Sequence, residues 1–133
     1  MQVKIDTKEK FHVITPVDTE ISATMADGMR VALLPFLQSE VKNVVLNLEN
    51  VTHIDEGGAE QLLQIQQEYY QENASFVSCC LQKPVEDFLT NSELIELFNI
   101  TPTESEAWDI VQMEEIEREL MDGEDWEEAE WRM

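Results

Sequence analysis

Positive charge is what this sequence most lacks. Eight Lys and Arg residues face 29 Asp and Glu, a formal net charge of −21 over 133 residues. The excess is uneven: residues 104–133 hold 13 acids and two bases, and so carry −11 of it. Such a field repels phosphate backbones and anionic lipid head groups. Nucleic acid and membrane surfaces are therefore excluded as expected partners, which leaves a basic protein partner or simple solubility. Long hydrophobic runs are missing too. No stretch approaches the roughly 18–20 apolar residues that span a bilayer, so no direct membrane insertion is expected. The opening "MQVKIDTKEK" has no signal-peptide apolar core, and the expected location is the cytoplasm. Cysteine occurs only as the adjacent Cys79 and Cys80. Neighbours on a strand point to opposite faces, so both are expected to be reduced, small, core-compatible residues.

The signatures of catalysis are absent as well. The sequence contains no G-x-x-x-x-G-K-[ST], no G-x-G-x-x-G and no G-x-S-x-G. His12 and His53 are separated by a whole helix and a strand, and nothing near either has paired metal-ligand spacing. Both read as structural or surface residues. Asp55 and Glu56 are adjacent carboxylates, open to two readings: a divalent-cation site, or a helix cap beside an exposed acid. The second is expected. No enzyme activity, cofactor or metal is anticipated.

What is present is a regular alternation of strands and helices. In "QVKIDTKEKFHVITPV" Val3 and Ile5, then Phe11, Val13 and Val17, alternate with polar residues around a turn at 7–10. Asp18, Thr19 and Ser22 are candidate caps for a helix whose apolar positions are Ile21, Met25, Met29, Leu33 and Leu37, with Pro35 kinking or ending it. Val44, Val45, Leu46 and Leu48 form the nearly continuous run of a strand covered on both faces. Ala59, Leu62, Leu63, Ile65 and Tyr69 fit one side of a second helix, and "SFVSCCL" follows Asn73 as the next strand. Pro84 suits the first position of a third helix facing inward through Val85, Phe88 and Leu89. Thr103 and Glu106 spell a capping box for a last helix bearing Ala107, Ile110 and Val111. Past Glu114 periodicity thins, and Gly123 is expected to break what helix remains. A strand–helix–strand unit over residues 44–81 implies parallel neighbours joined by a right-handed crossover. The fold class is α/β, a small domain with a mixed sheet.

The junction "NLENVTHIDEGGAEQLL" sets two carboxylates where a strand feeds a helix. It resembles the family pattern D-L-x-x-V-x-x-I-D-S-S-G of the STAS domain, the module named for sulfate transporters and anti-sigma factor antagonists. "VITPVDTEISATMADGMRVAL" is similar to the strand, turn and helix that open these domains. "SFVSCCLQKPVEDFLTNSELIELFNI" is similar to the stretch that closes them. The resemblance covers roughly residues 1–112 and implies a single STAS-like domain over residues 1–113, a mixed β-sheet flanked by about four helices. Residues 114–133 are left as an acidic C-terminal tail.

In the anti-sigma antagonist branch, the second serine of D-S-S-G is phosphorylated by a partner kinase that is also the anti-sigma factor. A helix N-terminus favours the added charge. Carried over by position, the family Asp is Asp55, the first serine is Glu56, the phosphorylated serine is Gly57 and the glycine is Gly58. Gly57 has no hydroxyl, so the resemblance implies a docking face without its usual switch. Either Glu56 supplies a permanent charge there, or Asp55 caps, the glycines turn and Glu56 is merely well placed. The expected contact surface is Asp18 with the start of the first helix, plus Asp55, Glu56, Gly57 and Gly58. The implied partner is an anti-sigma factor of the GHKL-type kinase class. Two alternatives stay open: a STAS subunit that binds the ATPase of a membrane transporter, and a small-molecule-sensing domain. For the tail, with Trp126 and Trp131 among acids, the readings are a solvated end or a segment that docks on a basic partner or on its own domain.

Overall fold

The computed structural model describes the backbone of residues 1–131 and the side chains of residues 1–120. In chain order the elements are β1 (Val3–Thr7), β2 (Phe11–Pro16), β3 (Glu20–Ile21), α1 (Ala26–Leu33), β4 (Asn43–Asn47) and β5 (His53–Ile54). They continue with α2 (Glu56–Gln71), β6 (Phe76–Cys79), α3 (Lys83–Asn91), β7 (Ile100–Thr101) and α4 (Glu104–Trp131). The main sheet has the order β1-β2-β4-β6-β7. β1 and β2 form the antiparallel hairpin read from their alternation, with Ile5 opposite Ile14. β4, β6 and β7 run parallel to β2 and complete the mixed sheet.

Each face of the sheet has its own apolar layer. Ile14, Val44, Leu46 and Phe76 point to the α1–α2–α3 side, where they meet Met29, Leu33, Leu62, Ile65, Tyr69, Val85 and Leu89. Phe11, Val13, Val45, Val77 and Cys79 point the other way, under Ala107 and Val111 of α4. Every residue of β4 is buried, which explains its unbroken apolar run. Each such Val or Leu side chain contributes about 1.5–3 kcal/mol by leaving water. Tyr69, fully buried against Phe76 at 5.0 Å between ring centroids, donates its hydroxyl to the Leu33 carbonyl. That bond satisfies an orphan acceptor at the end of α1 and ties α1 to α2. Asn73 adopts φ 60° after α2, and Ala74 N–H donates to the Tyr69 carbonyl at 2.9 Å. This closes the helix with a left-handed residue that asparagine tolerates.

Three expectations are corrected. The helix predicted from Ile21 does not start there, because Ile21 is extended in β3, paired with Ile54 and fully buried. Single 3-10 turns flank the short α1 instead, and the one at Leu34–Gln38 holds Pro35 near its start. Pro84 is the second residue of α3, after Gln82 as N-cap and Lys83. Gly123 does not end the last helix: α4 continues to Trp131. One interior glycine costs about 1 kcal/mol, which flanking helix formers such as Leu120 and Met121 offset. Thr103 does cap α4: its hydroxyl oxygen accepts from Glu106 N–H (3.2 Å) and its proton goes to Glu106 Oε1 (2.9 Å).

The start of the acidic segment is bonded to the domain. Ser75 and Tyr70 hydroxyls donate to Glu114 Oε1 at 2.6 and 2.8 Å. Asn43 Nδ2 donates to Glu115 Oε2 at 2.7 Å, and Arg118 donates to Asn43 Oδ1 (3.2 Å) and Ser75 Oγ (3.0 Å). These contacts pin α4 over the N-terminal ends of β4 and β6. The side chains of Met121, Trp126 and Trp131 lie outside the described residues.

Both thiols are free, and Cys80 leaves β6 with φ 61°. Burial pushes the Cys79 thiol and the Tyr69 phenol well above their ordinary values of 9.0 and 10.0. Tyr70 moves the same way, through burial first and then the bond to Glu114. The fold thus favours the protonated forms. Their contribution is complete below the unfolded values and is lost as pH rises. Each group that stays protonated in the fold while ionising in the unfolded chain removes about 1.4 kcal/mol per pH unit. Resistance to denaturant is therefore expected to fall steeply above about pH 10. Tyr69→Phe is expected to flatten that fall while lowering stability at neutral pH through the lost bond to Leu33.

Candidate functional site

The short pair β3–β5 builds the site. Glu20 stands opposite His53 and Ile21 opposite Ile54, in parallel register. This lays the loop before α1 beside the loop before α2. Thr52 and His53 N–H groups both donate to the Thr19 carbonyl (2.8 and 3.2 Å), and Asp55 N–H donates to the Ile21 carbonyl (3.1 Å).

Asp55 is extended (φ −105°, ψ 174°) and is the N-cap of α2. Its Oδ1 accepts from Gly58 N–H at 2.7 Å, while Oδ2 accepts from Ala23 N–H at 3.3 Å. Ala23 opens the 3-10 turn Ala23–Met25, so one carboxylate caps two helical starts that are distant in sequence. Capping was legible in the sequence; the bridge to Ala23 was not, since it spans 32 positions.

The two glycines have different reasons to lack a side chain. A Cβ on Gly57 would overlap Ala23 Cβ and lie 3.2 Å from Ala23 Cα. A Cβ on Gly58 would lie 2.7 Å from the Ile21 carbonyl oxygen and 2.9 Å from its carbon. Neither glycine has positive φ, so close approach, not backbone freedom, requires them. Gly57 seats α2 on the turn at 23–25, and Gly58 seats it on β3.

Glu56 is the first residue of α2 and is exposed. A carboxylate at that place interacts with the helix dipole by about 0.3–1 kcal/mol. Around it the surface offers exposed Ala23, Thr24, Asp27 and Glu60, a small, acidic face. Asp18 lies in the same β2–β3 loop, but its carboxylate accepts from Gln2 N–H (3.2 Å). It braces the N-terminal strand and makes no hydrogen bond to residues 55–58 among those described.

The other candidates stay apart. His12 is buried between the Thr7 hydroxyl (2.9 Å) and the Val41 carbonyl (2.7 Å), with Phe36 4.5 Å away between ring centroids. A ring that donates to Val41 accepts from Thr7, which is a structural role. His53 is exposed, 3.7 Å from Glu20. No group of three or more potential metal ligands occurs among the described residues, so Asp55 and Glu56 gather no third ligand there. No helix among the described residues is long and apolar enough to cross a membrane.

Among curated proteins no match is found. Among solved structures, TM1081 of Thermotoga maritima superposes with a TM-score of 0.71 at 19% identity, over 83% of this chain and 94% of that one. The Bacillus anti-sigma factor antagonist SpoIIAA, unphosphorylated, gives 0.65 at 18%, over 84% and 96%. The murine Solute Carrier 26 family member A9 anion transporter gives 0.67 at 11%, over 81% of this chain but 18% of its own length. At these identities the likeness is one of fold. A family model described as STAS domain matches residues 2–107, and the chain belongs to that family.

Proposed function

We propose that this STAS domain is a non-enzymatic regulatory module that captures a protein partner through residues 55–58 and the adjoining start of the 23–33 segment, with Asp18 bracing the loop behind them. The reading takes the anti-sigma factor antagonist as its pattern and a GHKL-type kinase as the partner class. The observation that carries it is the contact between Gly57 and Ala23. The place a residue-57 side chain would occupy is filled by Ala23, so a phosphate acceptor is excluded there by packing as well as by composition. Glu56 supplies a fixed negative charge one residue earlier. A phosphoserine would bring about −1.5 to −2 charges, so the substitute is weaker and unswitched. The face is then permanently in one state, and regulation falls to the amount of protein or to competition between partners.

Glu56→Lys reverses the charge of an exposed side chain that makes no side-chain hydrogen bond among the described residues. It is expected to cost about 0.6–2 kcal/mol through the helix dipole, leaving the domain folded, while weakening capture of the kinase in a pull-down. Equal recovery of both proteins would sink the assignment of this face. The second reading is a STAS subunit of a membrane transport complex that binds a transporter ATPase. Affinity purification from the native cell separates the two by whether a kinase or an ATPase is recovered.

A further inference from the structure

On the other side of the sheet, α4 carries an apolar stripe that the domain does not use. Met113, Ile116 and Leu120 are 59%, 56% and 63% exposed, and their steps of three and four put them on one side of the helix. Ala107 and Val111 face the sheet, and Glu114 and Arg118 hold the polar network below. The stripe runs into a groove of about 430 Å³ between α4 and the β1–β2 hairpin. Phe11, Trp108 and Ile116 form its apolar wall, and the two aromatic rings meet at 5.4 Å between centroids. Ile116 belongs to both features, so they make one continuous surface.

Charge selects the occupant. Residues 104–120 contain seven acids and one base, and that base, Arg118, is turned to Asn43 and Ser75. The hairpin side of the groove adds Lys8 and Lys10, but Lys8 is paired with Asp6 at 3.0 Å and Glu9, Glu115 and Glu119 line the same groove, so the face keeps an acidic balance. Asp109, Glu117 and Glu119 are exposed beside the stripe. A second copy would bring the same acids, and its own −21, against this face. Residues 121–133, with six acids and one base, are repelled from it in the same way. We propose that this flank of α4 docks a basic amphipathic helix of another protein. An apolar anchor enters the Phe11–Trp108–Ile116 groove, further apolar residues lie on Met113 and Leu120, and flanking Lys or Arg residues pair with Asp109, Glu117 and Glu119. Because α4 and α2 cover opposite faces of the sheet, this partner and one bound at Glu56 leave each other's surfaces free. The inference stands independently of the function proposed above.

The test uses the full chain and a fluorescein-labelled Leu/Lys peptide of about three helical turns, with a scrambled peptide of the same composition that has no apolar face. Anisotropy titration at physiological salt is expected to favour the patterned peptide by at least about tenfold. Ile116→Gln with Leu120→Gln, both at exposed positions, is expected to abolish that preference, and Glu56→Lys to leave it unchanged. Equal binding of both peptides, or unaltered binding by the double variant, would reduce the effect to bulk charge and overturn the proposal. Sedimentation showing a dimer that the double variant loses would give the face to a second copy and overturn it as well.

Discussion

Gly57→Ser is expected to destabilise the protein by about 2 kcal/mol, and Ala23→Gly in the same chain to recover most of that loss. The new Cβ would occupy the space of Ala23 Cβ and stand 3.2 Å from its Cα. Overpacking of this kind costs roughly 1–3 kcal/mol. The backbone at residue 57 is not left-handed, so no conformational penalty adds to the steric one. Loss of glycine's unfolded-state freedom even returns about 0.4–1 kcal/mol. Removing the Ala23 methyl clears the overlap, so the two changes should couple by about 1 kcal/mol or more in a double-mutant cycle. The double variant also places a hydroxyl at the position that the resemblance assigns to the phosphorylated serine, and under the proposed reading a cognate kinase is expected to label it but not wild type. Strict additivity in chemical denaturation would show that the two segments do not touch. Gly58→Ala makes a useful contrast. Its obstruction is the Ile21 backbone, so no side-chain truncation at that position can relieve it.

The second large effect belongs to Asp55. Asp55→Ala removes the acceptor for both Gly58 N–H and Ala23 N–H. One lost N-cap costs typically about 1 kcal/mol, up to about 2, and the second start loses its side-chain acceptor as well. A total near 2–3 kcal/mol is expected, a fall in Tm of roughly 6–12 °C for a domain of this size. Asp55→Asn keeps one carbonyl oxygen and should fall between, since it can accept from Gly58 but no longer serve both amides at full strength. Partner capture should drop with Asp55→Ala too, because the turn that presents Glu56 loses its clamp. A Tm within about 1 °C of wild type would mean that the bridge contributes nothing.

These two expectations differ in how far the sequence foretold them. Asp55 reads as a cap from its own neighbours, because capping is a local matter of an acceptor three residues before an amide. Gly57 reads as a missing serine or as a turn residue, not as a packing contact. Its packing reason, Ala23, lies in a segment predicted as the start of a helix. Ile21 misled that prediction: its spacing to Met25 and Met29 is helical, yet a two-residue strand pair with Ile54 claims it. A pair that short leaves no alternation to read. The last helix failed for the opposite reason. Its glycine is a local signal, but the cost of one glycine is small against the helix formers around it. Asp18 illustrates a third case, a candidate cap whose acceptor serves a strand 16 positions earlier.

By itself the sequence determined the layering of this protein. The doubly apolar run of β4, the one-sided stripe of α2 and the absence of any phosphate cradle or metal spacing are periodicities and compositions, readable without knowing what lies across the core. Tertiary structure alone decided why residue 57 is bare, which two helices one carboxylate caps, and that Glu114 and Arg118 hold the acidic segment to the sheet. Those are contacts between residues 30 to 40 or more positions apart. Their energies depend on ångström-scale approach, which no pattern along the chain encodes.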